Sequence, residues 1–162
     1  MQNERERLIR WHDPLASLAM SRGLSGLEAL RGILDGSIPP PFAVLLNVRL
    51  VEVAEGHVVF EADPGEEHYN PFGAVHGGFA VSLLDFALAS AVHSTLPAGS
   101  LSGTIDIHAR FLRPITKDTG TVRCEAYVVS ATRTLGTSEA RILDGDGRVL
   151  ATGTTACAIR SK

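Results

Sequence analysis

The sequence predicts an α+β fold in which a curved antiparallel sheet wraps around one long central helix, with an N-terminal helical extension in front of it. Three observations lead there. Stretches of strand character come as two, then a helix, then four, and too many of them are sequence neighbours for a parallel βαβ sheet. The helix, about Gly77 to Ser94, is apolar nearly all round, with only Ser82, Asp85, Ser90 and His93 as polar positions, and a helix without a polar face is a buried one. A run of three prolines, Pro39-Pro40-Pro41, divides a helical stretch at 1–41 from a strand-rich domain at 42–162.

Taken in order, Asp13-Pro14 offers a cap followed by proline at the first helical position, with Leu15, Leu18 and Ala19 behind it and Gly23 as a stop. Ser25 and Glu28 have the spacing of a capping box ahead of Leu27, Leu30, Ile33 and Leu34, and Asp35-Gly36 ends that helix. The prolines then read as a stiff extended connector. Strands are expected at 44–53 and 57–62, joined by a hairpin turn at Ala54-Glu55-Gly56, before an irregular loop at 63–75 marked by Pro64, Gly65, Pro71 and Gly73. Four further strands are expected at 101–112, 121–130, 134–143 and 149–159, the last two joined by the tight turn Asp144-Gly145-Asp146-Gly147.

Composition bounds the function. At 162 residues, 44% hydrophobic and 20% charged, the chain has the make-up of a single globular domain. A net charge of -3 argues against a general nucleic-acid surface. No apolar run reaches the roughly 18 residues of a membrane span and the first residues carry no secretory segment, so the expected setting is the cytoplasm, with no membrane partner. Cys124 and Cys157 stand alone in strand stretches and read as buried free thiols. The histidines have no metal-ligand spacing, and the Asp144 turn lacks the acidic twelfth position of a calcium loop, so no metal is expected.

Chemistry concentrates in Asn70–Asp85, NPFGAVHGGFAVSLLD. Asp85 sits in an apolar helix with no cation three or four positions away. It must meet a polar partner from elsewhere in the fold, or stand in an apolar wall as a base or nucleophile. The residues alone leave a structural cap and a catalytic carboxylate equally open. His76-Gly77-Gly78 lies at the helix start, where backbone N–H groups lack intrahelical partners and glycine lets a carbonyl oxygen approach them. Asn70 suits either a turn before Pro71 or a group holding water or a carbonyl. Because His76 and Asp85 lie nine residues apart on one helix, about 13 Å along it, they cannot meet within one chain.

This stretch, with Thr104-Ile105-Asp106 and Phe111-Leu112-Arg113-Pro114 after it, resembles the PaaI-like hotdog-fold acyl-CoA thioesterases. The similarity covers roughly Phe42 to the C-terminus. It rests on the Asn, the six-residue step to His-Gly-Gly, and the Asp eight positions after the first glycine. The resemblance implies hydrolysis of an acyl-CoA to free acid and CoA with no cofactor, coenzyme A being part of the substrate. It further implies that Asn70 contacts water or the carbonyl, that His76 and Gly77 form the helix-start pair whose Gly77 N–H polarises the carbonyl, that Asp85 is base or nucleophile, and that Thr104 orients it. The site would form between subunits of a homodimer, commonly paired again into a tetramer. Gly78, Arg110, Arg113 and Arg133 are expected at the substrate or its CoA phosphates, with Arg160 as a further candidate, although solvated arginines account for each equally well. Two alternatives remain at this stage: an acyl-CoA sensor without turnover, and a hydratase or dehydratase of the same fold.

Overall fold

The computed structural model describes residues 3–160. Its elements are α1 (Pro14–Ser21), α2 (Gly26–Leu34), β1 (Val48–Ala54), β2 (His57–Ala62), α3 (Gly77–His93), β3 (Leu101–Phe111), β4 (Val122–Ala131), β5 (Leu135–Leu143) and β6 (Val149–Arg160). The six strands form one antiparallel sheet in the order β1-β2-β4-β5-β6-β3, which leaves β1 and β3 as its edges. The sheet curls around α3. Leu83, Leu84 and Leu88 are fully buried there against Val58, Phe60, Cys124, Ala126 and Ile142. A fully buried polar link crosses this layer: the Ser138 hydroxyl donates to the Leu88 carbonyl at 2.8 Å.

The expected caps form. Asp13 accepts from the Leu15 N–H, and Ser25 and Glu28 make both bonds of a capping box. The start of α2 is fastened to the end of α3: the Gly26 N–H donates to the Leu96 carbonyl at 3.0 Å, and a methyl group on Gly26 would lie 1.7 Å from the His93 carbonyl oxygen. Only glycine fits this contact.

Three expectations are corrected. Pro41 does not continue an extended connector; it opens a 3-10 turn, Pro41–Leu45, because its fixed φ suits a first helical position as well as an extended one. That turn absorbs Val44 and Leu45, so β1 begins at Val48 rather than Val44. The third concerns α3, which is not buried all round within one chain. Phe79, Ala80, Leu83, Leu84, Ala87, Leu88, Ala91 and Val92 are buried, whereas Val81, Ser82, Asp85, Phe86 and Ala89 form a half-buried face that one sheet does not cover.

Candidate active site

Asn70 lies in the loop before α3 and shapes it. Its side-chain oxygen accepts from the Phe72 and Ala74 N–H groups at 2.8 and 3.4 Å, and its own N–H donates to the Ala74 carbonyl at 2.8 Å. The turn role is therefore real, but it uses only the oxygen: the side-chain NH2 has no acceptor among the described residues. A bridge between Tyr69 and Val75 and a 2.8 Å bond from the His76 N–H to the His68 carbonyl bring the chain back to the helix start.

His76 is the N-cap of α3. Its Nδ1 accepts from the Gly78 N–H at 2.9 Å and its carbonyl accepts from the Phe79 N–H at 2.9 Å. The Gly77 N–H makes no hydrogen bond among the described residues, so it is the donor left over at the positive end of the helix dipole. Gly77 also lines a pocket of about 220 Å³ with His76, Ala80, Phe111 and Arg113. A methyl group on Gly77 would come within 3.3 Å of the Phe111 ring, so the glycine sits hard against the far end of β3.

Of the two outcomes left open for Asp85, the structure shows a polar partner from elsewhere in the fold. The Thr104 hydroxyl donates to its Oδ1 at 2.8 Å. That contact depends on an irregularity in β3. Thr104 pairs with Cys157 and Asp106 with Ala156, so Ile105 is an extra residue, a β-bulge. Ile107 and Ala109 pack toward α3, and strict alternation would turn Thr104 to the opposite face; the bulge re-aims it at Asp85. Asp106 secures the bulge, its carboxylate accepting from the Ala156 N–H at 3.1 Å and its carbonyl from the Thr155 hydroxyl. Cys157, across the ladder from Thr104, is a poor nucleophile. Burial pushes its thiol up.

The remaining candidates separate. Gly78 has its N–H taken by His76 and so does not offer it to a ligand. Arg113 lines the pocket beside Gly77, and its guanidinium donates to the Val149 carbonyl. Arg110 lies elsewhere, in a pocket on the outer face of the sheet with His108, Tyr127, Glu139 and Arg141. Arg133 is exposed in the turn between β4 and β5, and neither it nor Arg110 nor Arg160 forms an ion pair among the described residues. Among those residues no group of three or more His, Cys, Asp or Glu is placed to hold a metal, and no helix is long and apolar enough to cross a membrane. Sequence reasoning missed the Ile105 bulge, the closeness of Phe111 to Gly77 and the part played by His68. The sequence carried no local signal for the bulge, because Ile105, Ile107, Ala109 and Phe111 alternate regularly with polar residues.

A six-stranded antiparallel sheet curled around one helix, with a free N–H at the helix start, is the hotdog architecture. The thioesterase superfamily profile matches residues 72–151. A 1,4-dihydroxy-2-naphthoyl-CoA hydrolase of Listeria monocytogenes is 23% identical over 117 residues, 72% of this chain and 94% of that protein. Among solved structures, a putative thioesterase from Ralstonia eutropha, described as phenylacetic acid degradation-related, superposes with a TM-score of 0.72 at 27% identity over 79% of this chain and 97% of its own. The Escherichia coli PaaI protein superposes with a TM-score of 0.72 at 21% identity, over 83% and 95%, and shares the fold. The superfamily match covers just under half of the chain, and the chain is similar in fold and sequence to the PaaI-like hotdog proteins. It is a thioester hydrolase.

Proposed function

We propose that the protein hydrolyses an acyl-CoA thioester to the free acid and CoA at a site shared by two copies of the chain. The Gly77 N–H of one copy binds the thioester carbonyl oxygen, and Asp85 of the other, oriented by Thr104, is base or nucleophile. The single observation that carries this reading is the division of α3 into a free donor at Gly77 and a tethered carboxylate at Asp85, eight residues or about 12 Å further along. As a base, Asp85 takes a proton from water, hydroxide adds to the carbonyl carbon, the C–S bond breaks and the departing sulfur receives the proton. As a nucleophile, its carboxylate adds to the carbonyl carbon, the C–S bond breaks and CoA leaves as the thiolate; water then opens the resulting anhydride, releasing the acid, regenerating the Asp85 carboxylate and supplying the proton that the sulfur takes up. The free NH2 of Asn70 holds the water or the carbonyl, and His76 keeps the Gly77 donor in place by capping the next residue. Arg113, beside Gly77, is the arginine best sited for CoA.

The edge strand β3 supports the second copy. It leaves 11 residues unpaired on one side and exposes Leu101, Ile105 and Phe111, a surface that soluble folds seldom leave uncovered. Antiparallel pairing of β3 with its copy, about a two-fold axis between Ile107 and His108, puts Thr104 of one chain opposite Phe111 of the other. Thr104 holds Asp85 and Phe111 touches Gly77, so that pairing joins the two half-sites. Residues 42–162 then form the catalytic domain and 1–41 its extension. Such dimers can pair again into tetramers, and the buried free thiols suit the cytoplasm.

A mixing experiment tests the proposal. Asp85→Ala and Gly77→Pro chains are each assayed for CoA release with a thiol reagent across aryl, short and long acyl-CoAs, then refolded together. Each is inactive alone, and the mixture recovers about a quarter of wild-type activity, because half the dimers are mixed and each has one intact site. No recovery on mixing rejects the shared site, and full activity of Asp85→Ala alone rejects the mechanism.

A further inference from the structure

Residues 3–12 form no helix or strand, yet one side chain among them is held at four points. Arg7 donates from Nη1 to Glu67 Oε1 at 2.9 Å and to the Leu45 carbonyl at 3.2 Å, and from Nη2 to the Val44 carbonyl at 2.9 Å and Asn47 Oδ1 at 2.6 Å. A planar guanidinium suits such a fork of acceptors. Three of the four belong to the frame of the sheet. Val44 and Leu45 sit in the 3-10 turn before β1. Asn47, at φ +52°, is tied to Asp63 at the end of β2 by two bonds of 3.3 Å.

The fourth acceptor belongs to the site loop. Glu67 lies in the 3-10 turn Glu66–His68, where Arg5 adds an ion pair to Glu66. From there the link to the site is one residue long. The His68 side chain is 6% exposed and lies against Phe79 in the first turn of α3, ring centroids 4.7 Å apart, while its carbonyl accepts from the His76 N–H at 2.8 Å. His68 Nδ1 accepts from the Gly65 N–H at 2.9 Å, which leaves the proton of the neutral ring on Nε2. That Nε2 is buried without a hydrogen-bond partner, and the Glu67 carboxylate that would accept from its N–H is engaged by Arg7 and stands 4.0 Å away.

We propose that Arg7 is a positioning residue for hydrolysis: it fastens the 66–68 turn to the sheet frame and so holds Asn70 and the start of α3 in working geometry. The inference rests on the site assigned under the proposed function. With Arg7 gone, Glu67 is free to move toward His68, and the His68 carbonyl that anchors the His76 N–H moves with it. Asn70 follows two residues later.

The test uses the full-length protein with Arg7→Ala, Arg7→Lys and, as a control in the same arm, Arg10→Ala. CoA release gives kcat and KM separately, and amide hydrogen exchange follows residues 65–79 against β4–β6. The expected result for Arg7→Ala is a kcat lowered about 10- to 100-fold with a smaller change in KM, the scale of a small misplacement at the reacting groups. Millimolar guanidinium restores part of the lost kcat, Arg10→Ala behaves as wild type, and exchange quickens at 65–79 alone. An unchanged kcat with unchanged exchange overturns the proposal, as does exchange that quickens equally over the whole sheet, the mark of a general stability effect. Should the wild-type protein release CoA from no thioester, the functional reading fails instead, and the exchange measurement by itself still decides whether Arg7 holds the loop.

Discussion

In the proposed site, the group at the start of α3 is a backbone N–H, held by hydrogen bonds among near neighbours in sequence, whereas just over two turns further on it is a carboxylate aimed by a strand that arrives nineteen residues later. The first half-site is a property of chain path. His68, Asn70 and His76 fix the loop and the cap, and the Gly77 N–H remains because every competing group is already paired. The second is a property of side chains brought together by the closed sheet and by one extra residue, Ile105. Each half is therefore fragile in its own way: backbone changes should break the first and side-chain changes the second.

Asp85→Ala is the most damaging test of that contrast. Removing a base or nucleophile lowers kcat by about 10³-fold or more, with the melting temperature held, since the residue is only half-buried. Retained turnover would leave the second half-site without a chemical role. Gly77→Pro comes next and probes the backbone half. Proline removes the N–H, is tolerated at a first helical position, and follows a residue whose ψ of 138° already suits it. Loss of the donor lowers kcat about 10²- to 10³-fold while circular dichroism reports an intact helix; equal turnover would mean that another donor binds the carbonyl. Asn70→Asp is subtler. It keeps an oxygen to accept from Phe72 and Ala74 but deletes the NH2 donor, so a kcat lowered by about tenfold with an unchanged melt separates the catalytic role from the turn, at the usual worth of one such bond.

The two halves also differ in how far they could be read from sequence. Local signals were reliable. Asp13-Pro14, Ser25 with Glu28, His76-Gly77 and the last four strands all stand within a residue or so of where capping and period placed them, because each depends on neighbours a few positions away. That Asp85 needs either a polar partner from elsewhere or a chemical role was legible too, since no neighbour on its own helix could serve. The bulge that delivers Thr104 was not legible, because it is settled by pairing with β6, fifty residues downstream. Nor was the open face of α3, which a count of apolar residues cannot distinguish from a buried one. Arg7 reaches across sixty positions to Glu67, beyond any local pattern. The Pro41 turn went unread because proline permits two conformations and only packing chooses between them.

Thr104→Val makes the smallest and most discriminating change. Valine matches threonine in shape and favours a strand, so β3 and its bulge persist and the melting temperature stays within a degree or two, about the effect of a lone exposed substitution. Only the hydrogen bond to Asp85 is lost. A bond to a charged group contributes about 1.5–3 kcal/mol, but Thr104 is exposed and water can replace its hydroxyl, so the expected fall in kcat is about tenfold. If Thr104 orients the carboxylate, serine at the same position restores most of the rate and KM stays level, because the ground-state complex does not use the bond. A raised KM with unchanged kcat would instead make Thr104 a substrate contact, and the second half-site would then consist of Asp85 alone. An unchanged rate in both variants would show that the half-buried face of α3, not β3, sets the direction of the carboxylate.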